Sequence, residues 1–133
     1  MSETGAAAPA RRARPLSPHL QIYRPQITTI MSITHRATGV ALALGSVLLV
    51  VWLAALATGG MFWVCVSDFL SSALGRFMLM GWSWALFYHL CNGLRHLVWD
   101  TGRDMDIASV YRSGYAALVL SSVLTLLCWV YAF

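Results

Sequence analysis

The chain has 133 residues, of which 59% are hydrophobic and only 11% are charged. This length leaves room for one domain, and the composition lies far on the apolar side of the average water-soluble protein. The net charge is +4, and every basic residue is an arginine. Because these arginines lie beside long apolar runs, they indicate membrane topology and give no reason to expect a nucleic-acid partner.

Three uncharged runs cover residues 37–57, 77–94 and 115–133. Each is close to the roughly 20 residues that a helix needs to cross the hydrocarbon core of a bilayer. We therefore predict an all-α membrane protein with three transmembrane helices, over about 29–57, 76–99 and 110–132. They form a domain over 28–133, which follows a polar N-terminal segment over 1–27.

Charge is distributed unevenly around these predicted helices. Arginines precede the first helix and flank the connection between the second and third, whereas residues 58–75 carry Asp68 and no basic residue. The positive-inside rule then predicts the N-terminus inside and the C-terminus outside. The Ala, Pro and Arg tail resembles part of a mitochondrial presequence. Since the sequence includes Met1, we expect the bacterial cytoplasmic membrane rather than the mitochondrial inner membrane.

The start of the first helix places a polar group at the inner membrane edge. Pro25 disfavours helix before it, so the helix can begin near Thr28 or Thr29. Ser32 and Arg36 then share one face, four residues apart. A hydroxyl and a guanidinium could polarise the carbonyl oxygens of a quinone, and an arginine or His35 could pair with a haem propionate. A snorkelling arginine and a packing serine fit this pattern equally well.

His89 lies deep in the second apolar run, where an unbonded imidazole is costly. Small residues four positions away on either side, Ala85 and Gly93, could leave space for a planar macrocycle, as an axial haem ligand requires. Helix packing explains the same small residues, and a hydrogen bond to a neighbouring helix explains the histidine. This helix face reads Trp82, Ala85, His89, Gly93, His96 and Asp100.

The chain supplies one histidine at mid-depth, whereas a low-spin electron-transfer haem usually has two axial ligands. We therefore expect the second ligand from another subunit. His96 ends the second helix near the inner interface, where it could donate to a haem propionate or simply pair with Asp100.

Three segments resemble the family of succinate dehydrogenase cytochrome b556 subunits. They read RPLSPHL over 14–20, SITHRATG over 32–39 and HLCNGLRHLVWD over 89–100. The resemblance covers the chain from about Arg14 to its end. It implies a membrane anchor of three helices that pairs with a second three-helix anchor subunit and docks a flavoprotein and an iron-sulfur protein.

The resemblance also implies roles for individual residues. His89 corresponds to the axial ligand of a haem b shared with the partner anchor. Ser32 and Arg36 correspond to a binding site for ubiquinone or a related quinone, and His35 and Arg36 to partners of the haem propionates. We expect succinate oxidation on other subunits and part of quinone reduction here. The alternatives are a cofactor-free structural anchor and a cytochrome b anchor of fumarate reductase or another dehydrogenase.

Overall fold

A computed structural model of the chain describes Ile22 and residues 24–132. The segment 14–20, which carries part of the resemblance, and nearly all of the predicted N-terminal segment 1–27 lie outside the described residues. Within 24–132 the regular structure is entirely helical. Its helices are α1 over Ile27–Thr58, α2 over Gly60–Ser71, α3 over Ala73–Asp100 and α4 over Ile107–Ala132.

Helix α1 begins slightly before the predicted threonine cap. Gln26 is the N-cap residue and has the extended backbone angles usual at that position, and its carbonyl accepts a hydrogen bond from the amide of Ile30 at 3.1 Å. The helix ends where Gly59 adopts a φ of 67°, a conformation that glycine reaches without steric cost. The polar residues at 32–36 therefore lie on the second and third turns of α1.

Residues 58–75, which lie between the first and second predicted spans, mostly form helix α2. Their sequence is apolar and lacks proline, so once the chain has turned at Gly59 and Gly60 nothing prevents helix formation. Helices α2 and α3 meet at an angle of 73°. The Ser72 hydroxyl caps α3 by accepting from the amide of Gly75 at 3.1 Å. Gly75 packs so closely on the backbone of Phe69 and Leu70 that a side chain there would collide.

A short polar connection joins α3 to α4. Gly102 and Asp104 both have positive φ, 77° and 56°, and the indole of Trp99 donates to the carbonyl of Asp104 at 3.1 Å. The Asp106 carboxylate accepts from the amide of Ser109 at 2.9 Å at the start of α4. Hydrogen bonds from the Ser109 hydroxyl and amide lower the pKa of Asp106 below its ordinary value of 3.8. The connection is thus an ordered, capped turn.

Helix α3 packs against both α1 and α4. By length and composition, α1 and α4 can each cross a membrane, whereas α3 meets the same test only together with α2. The packed core is small and is formed by Met31, Tyr88, Cys91 and Ala117. Most large apolar side chains point outward along the described helices, which is the pattern of a protein surrounded by lipid and partner helices.

Candidate histidine cluster

Helices α1 and α3 bring three histidines together. The rings of His35 and His89 stack with centroids 3.9 Å apart and planes inclined by 12°. The ring of His96 lies 5.4 Å from that of His35, and it meets Trp99 edge-on at 5.1 Å. The structure therefore brings together the three histidines of the predicted haem environment. The ring of His96 packs against the rings of His35 and Trp99, whereas pairing with Asp100 was the alternative expected from the sequence.

His89 reaches across to the backbone of α1. Its Nδ1 lies 3.1 Å from the carbonyl oxygen of His35 and 3.2 Å from the Oγ1 of Thr38. The approach is close because Gly39 has no side chain: a methyl group there would lie 3.0 Å from the Cε1 of His89. Gly39 thus provides the space that lets the imidazole contact α1.

The hydrogen bonds of His89 indicate which ring nitrogen carries the proton. A carbonyl oxygen only accepts, so the bond to His35 requires a proton on Nδ1. Both hydrogen bonds found for His89 in the described part of the chain use Nδ1, which leaves the lone pair of Nε2 for another partner. A neutral imidazole held in this way by its second nitrogen is the usual arrangement of a metal-ligating histidine.

The surroundings of His89 fit an axial haem ligand, but the open space that the sequence predicts beside Ala85 and Gly93 is not observed. Ala85 is 5% exposed and is packed inside the chain, and Gly93 faces the ring of His35, so these two residues do not form an open slot. The buried Nδ1 of His35 has no hydrogen-bond partner among the described residues, and a carboxylate could satisfy it.

The stacking of His35 on His89 bears on the number of ligands that this chain supplies. Two histidines that coordinate one haem iron stand on opposite sides of the porphyrin. A centroid separation of 3.9 Å between nearly parallel rings leaves no room for a macrocycle between them. In this arrangement His35 cannot be the second ligand, and a second ligand from a partner subunit stays a prediction.

Ser32 and Arg36 lie on the exposed surface of α1, next to the histidine cluster. The Nε of Arg36 donates to the backbone carbonyl of Ser32 at 3.4 Å, so the guanidinium lies along the turn that also carries the serine hydroxyl. The structure therefore brings these two residues together at a surface, where a bound molecule or a partner subunit could contact both.

Arg95 is one of the arginines that flank the connection between the second and third predicted spans, and it has a role that this pattern does not reveal. Its side chain is only 7% exposed. The guanidinium donates to Ser113 Oγ at 2.9 Å, to the carbonyl of Val110 at 2.8 Å and to Asn92 Oδ1 at 3.3 Å. It also lies 4.0 Å from the ring centroid of Trp99. The four-residue spacing to Trp99 is the only sequence signal that favours such a contact.

Tyr88 and Asn92 extend this buried polar group toward the other helices. The hydroxyl of Tyr88, which is fully buried, donates to the carbonyl of Met31 in α1 at 3.1 Å. Asn92 is also fully buried, and its Nδ2 has no partner within the described residues. Helix α3 therefore carries polar contacts to α1 on one side and to α4 on the other.

An apolar cavity of about 710 Å³ lies between α1 and α3, toward α2. Trp82 and Gly45 both line it, and the indole of Trp82 presses directly on the backbone of Gly45. The buried Nε1 of Trp82 has no hydrogen-bond partner among residues 24–132. None of the predicted site residues lines this cavity.

Comparison with known proteins gives a consistent result. A family model described as the succinate dehydrogenase/fumarate reductase transmembrane subunit matches residues 10–128. The chain is 44% identical over 117 residues to the succinate dehydrogenase cytochrome b556 subunit of Paracoccus denitrificans, covering 88% of this chain and 90% of that protein. It is 42% identical over 124 residues to the subunit of the same name from Rickettsia typhi, covering 88% and 91%.

A mitochondrial relative is similar at nearly the same level. The chain is 41% identical over 112 residues to the mitochondrial succinate dehydrogenase cytochrome b560 subunit of Bos taurus, with 81% of this chain and 65% of that protein covered. The similar proteins thus come from both bacteria and mitochondria.

Proposed function

The chain belongs to the family of succinate dehydrogenase/fumarate reductase transmembrane subunits, and we propose that it anchors a succinate:quinone oxidoreductase in the membrane. In this proposal it binds one haem b jointly with a partner anchor subunit and forms part of the quinone-reduction site. Succinate oxidation takes place on other subunits of the complex.

The observation that carries the proposal is the environment of His89. Its Nδ1 is bonded to α1 and its Nε2 is left for iron, which is the state that an axial ligand requires. A haem bound there supplies a one-electron carrier. The chain holds the imidazole in a fixed orientation against Gly39.

The charged and polar groups near the histidines complete the proposed site. His35, whose Nδ1 has no hydrogen-bond partner in the part of the chain that the structure describes, and His96 beside it would donate hydrogen bonds to the haem propionates. Arg36 would pair with the charge of the propionates. Ser32 would donate to a carbonyl oxygen of ubiquinone or a related quinone. Arg36 would stabilise the negative charge that develops on the quinone oxygens during reduction.

The proposed arrangement in the membrane follows from the distribution of arginine. The N-terminus and the connection between α3 and α4 lie on the inner side and the C-terminus lies outside, with α1, α3 and α4 as the three spans. A flavoprotein and an iron-sulfur subunit dock on the inner face, and a second three-helix anchor packs beside this chain. We place the complex in a bacterial cytoplasmic membrane.

The test is the visible spectrum of the purified complex. The native complex should show reduced-minus-oxidised bands of haem b, and His89→Leu should abolish or strongly perturb them, because it removes an iron ligand. Phe77→Leu is the control, since it changes an exposed side chain of the same helix outside the proposed site and should leave the bands in place. A complex that lacks protohaem, or a His89→Leu complex with the native spectrum, would contradict the proposal.

The same preparation separates this proposal from its rivals. A cofactor-free anchor would give a colourless anchor fraction. A cytochrome b anchor of fumarate reductase or another dehydrogenase would copurify with different catalytic subunits. A copurifying flavoprotein that reduces the haem upon addition of succinate supports the succinate:quinone oxidoreductase.

A further inference from the structure

We propose that Thr38 is a positioning residue that fixes the orientation and protonation of His89 and thereby sets the reduction potential of the haem iron bound to it. The inference rests on the proposed function, because it takes His89 as the axial ligand. It concerns a side chain of α1 that does not itself reach the iron.

The geometry around Thr38 forms a closed triangle of polar atoms. Its Oγ1 donates to the carbonyl oxygen of His35 at 2.8 Å and lies 3.2 Å from the Nδ1 of His89. The same carbonyl lies 3.1 Å from Nδ1. Thr38 is only 6% exposed, so water does not compete for these bonds.

The triangle determines the direction of each bond. The single hydroxyl proton of Thr38 is used on the His35 carbonyl, so toward His89 the hydroxyl oxygen can only accept. Two acceptors therefore converge on Nδ1, and both require a proton there. In the other tautomer the lone pair of Nδ1 would face the lone pairs of the carbonyl. The surroundings thus select the tautomer in which Nε2 is unprotonated.

This arrangement also affects the electronic character of the ligand. A hydrogen bond donated by Nδ1 to an acceptor increases the basicity of the imidazole as a metal ligand. A more basic ligand favours the ferric over the ferrous iron. Removing the threonine hydroxyl leaves the His35 carbonyl as the remaining acceptor, so Nδ1 is still paired but the imidazole becomes a weaker donor.

The inference is tested in the complete complex with Thr38→Val, which keeps the branched shape and lacks the hydroxyl. A redox titration of the haem bands should show a higher midpoint potential. A tenfold loss of the ferric preference corresponds to about 59 mV for one electron. Thr38→Ser keeps the hydroxyl and should retain the native potential. A lower frequency of the iron–histidine vibration in Thr38→Val is the second expected readout.

Thr125→Val is the matched control. Thr125 is a buried threonine of α4 that donates to the carbonyl of Ser121 at 2.8 Å, away from the histidines. Its replacement removes an equivalent buried hydroxyl and should leave the haem potential unchanged. If Thr38→Val assembles poorly, Thr38→Ala carries the same expectation, since it also lacks the acceptor.

The outcomes separate this inference from the proposed function. If both hydroxyl-free variants bind haem with the native potential and vibration, Thr38 does not position the ligand, although the cytochrome assignment stands. The inference is equally overturned if Thr38→Ser shifts the potential as far as Thr38→Val does. If the native complex lacks haem, or keeps it unchanged in His89→Leu, the proposed function itself fails.

Discussion

Arg36 lies on the exposed surface of α1, whereas Arg95 is enclosed between α3 and α4. A buried guanidinium is tolerated in a membrane protein only where other groups replace water around it. Arg95 has three neutral oxygen acceptors and the face of Trp99 for this purpose. The fold occupies most of its donors, whereas the one hydrogen bond found for Arg36 among the described residues runs from its Nε to the carbonyl of Ser32.

This difference leads to a prediction for the surface residues. Ser32→Ala and Arg36→Leu should each lower succinate:quinone reductase activity, Arg36→Leu by at least about tenfold, because a donor to developing negative charge is lost. Succinate oxidation with an artificial acceptor that bypasses the quinone should stay at the native rate. Arg24→Leu, which removes an exposed arginine just before α1, is the control. Native quinone reduction in both site variants would refute the assignment.

At the level of single residues, the sequence singles out the groups that we propose to carry chemistry, but it does not show how they are held. His89 stands out because a polar ring in an apolar run is rare. The contact partners Thr38 and Gly39 do not stand out, because they depend on the register of α1 against α3, which periodicity within one helix cannot determine. The burial of Arg95 was missed for the same reason, since its main acceptors lie on α4.

At the level of helices, α3 is the element that connects the others. Tyr88 and His89 bind backbone carbonyls of α1, and Arg95 binds α4. In lipid these bonds hold helices together because apolar side chains gain little by leaving one apolar environment for another. The polar side chains that make α3 less apolar than α1 and α4 are therefore also the ones that position it.

The contact between α3 and α4 can be tested through Arg95. Arg95→Leu leaves the acceptors on α4 without their charged donor and should destabilise the anchor by about 1–3 kcal/mol. Arg95→Lys should restore only part of the loss, because an ammonium cannot match the planar fork. We expect both changes to lower the Tm of the detergent-solubilised complex, and Arg95→Leu should lower it more than Arg95→Lys. Arg103→Leu, in the exposed connection to α4, should have little effect, and a native Tm for Arg95→Leu would contradict this account.

The helices themselves were largely predictable from apolar runs and prolines, whereas helix α2 was not. The run 60–71 is too short to span a bilayer and lies between the first two predicted spans, so no helix is predicted there. The two glycines at 59 and 60 start a new helix, and Ser72 and Gly75 redirect it through a sharp bend. Bends of this kind depend on backbone contacts that a hydropathy pattern does not record.

At the level of the whole molecule, the small core and the many outward apolar side chains indicate that the chain is one part of a larger membrane assembly. The similar proteins from Paracoccus denitrificans and Rickettsia typhi are named as subunits of succinate dehydrogenase, which agrees with this interpretation. The histidine cluster supports the same interpretation, because the ring of His35 stacks on that of His89 and in this position cannot be the second ligand of the haem. In our proposal this chain therefore supplies one axial position of the haem, and a neighbouring subunit supplies the opposite one.

The last prediction concerns that missing ligand. In the complete complex, His35→Leu should retain a low-spin haem with two histidine ligands, because a ring stacked on His89 cannot reach the far side of a porphyrin bound to it. We expect the same of His96→Leu, since the proposal takes the second ligand from the partner anchor. Electron paramagnetic resonance and near-infrared magnetic circular dichroism report this ligation directly. Expression of this chain without the partner anchor should abolish the spectroscopic signature of bis-histidine ligation. His35→Leu should change only the midpoint potential of the haem. Loss of bis-histidine ligation in His35→Leu would place both ligands in this chain, and the haem would then belong to one subunit alone.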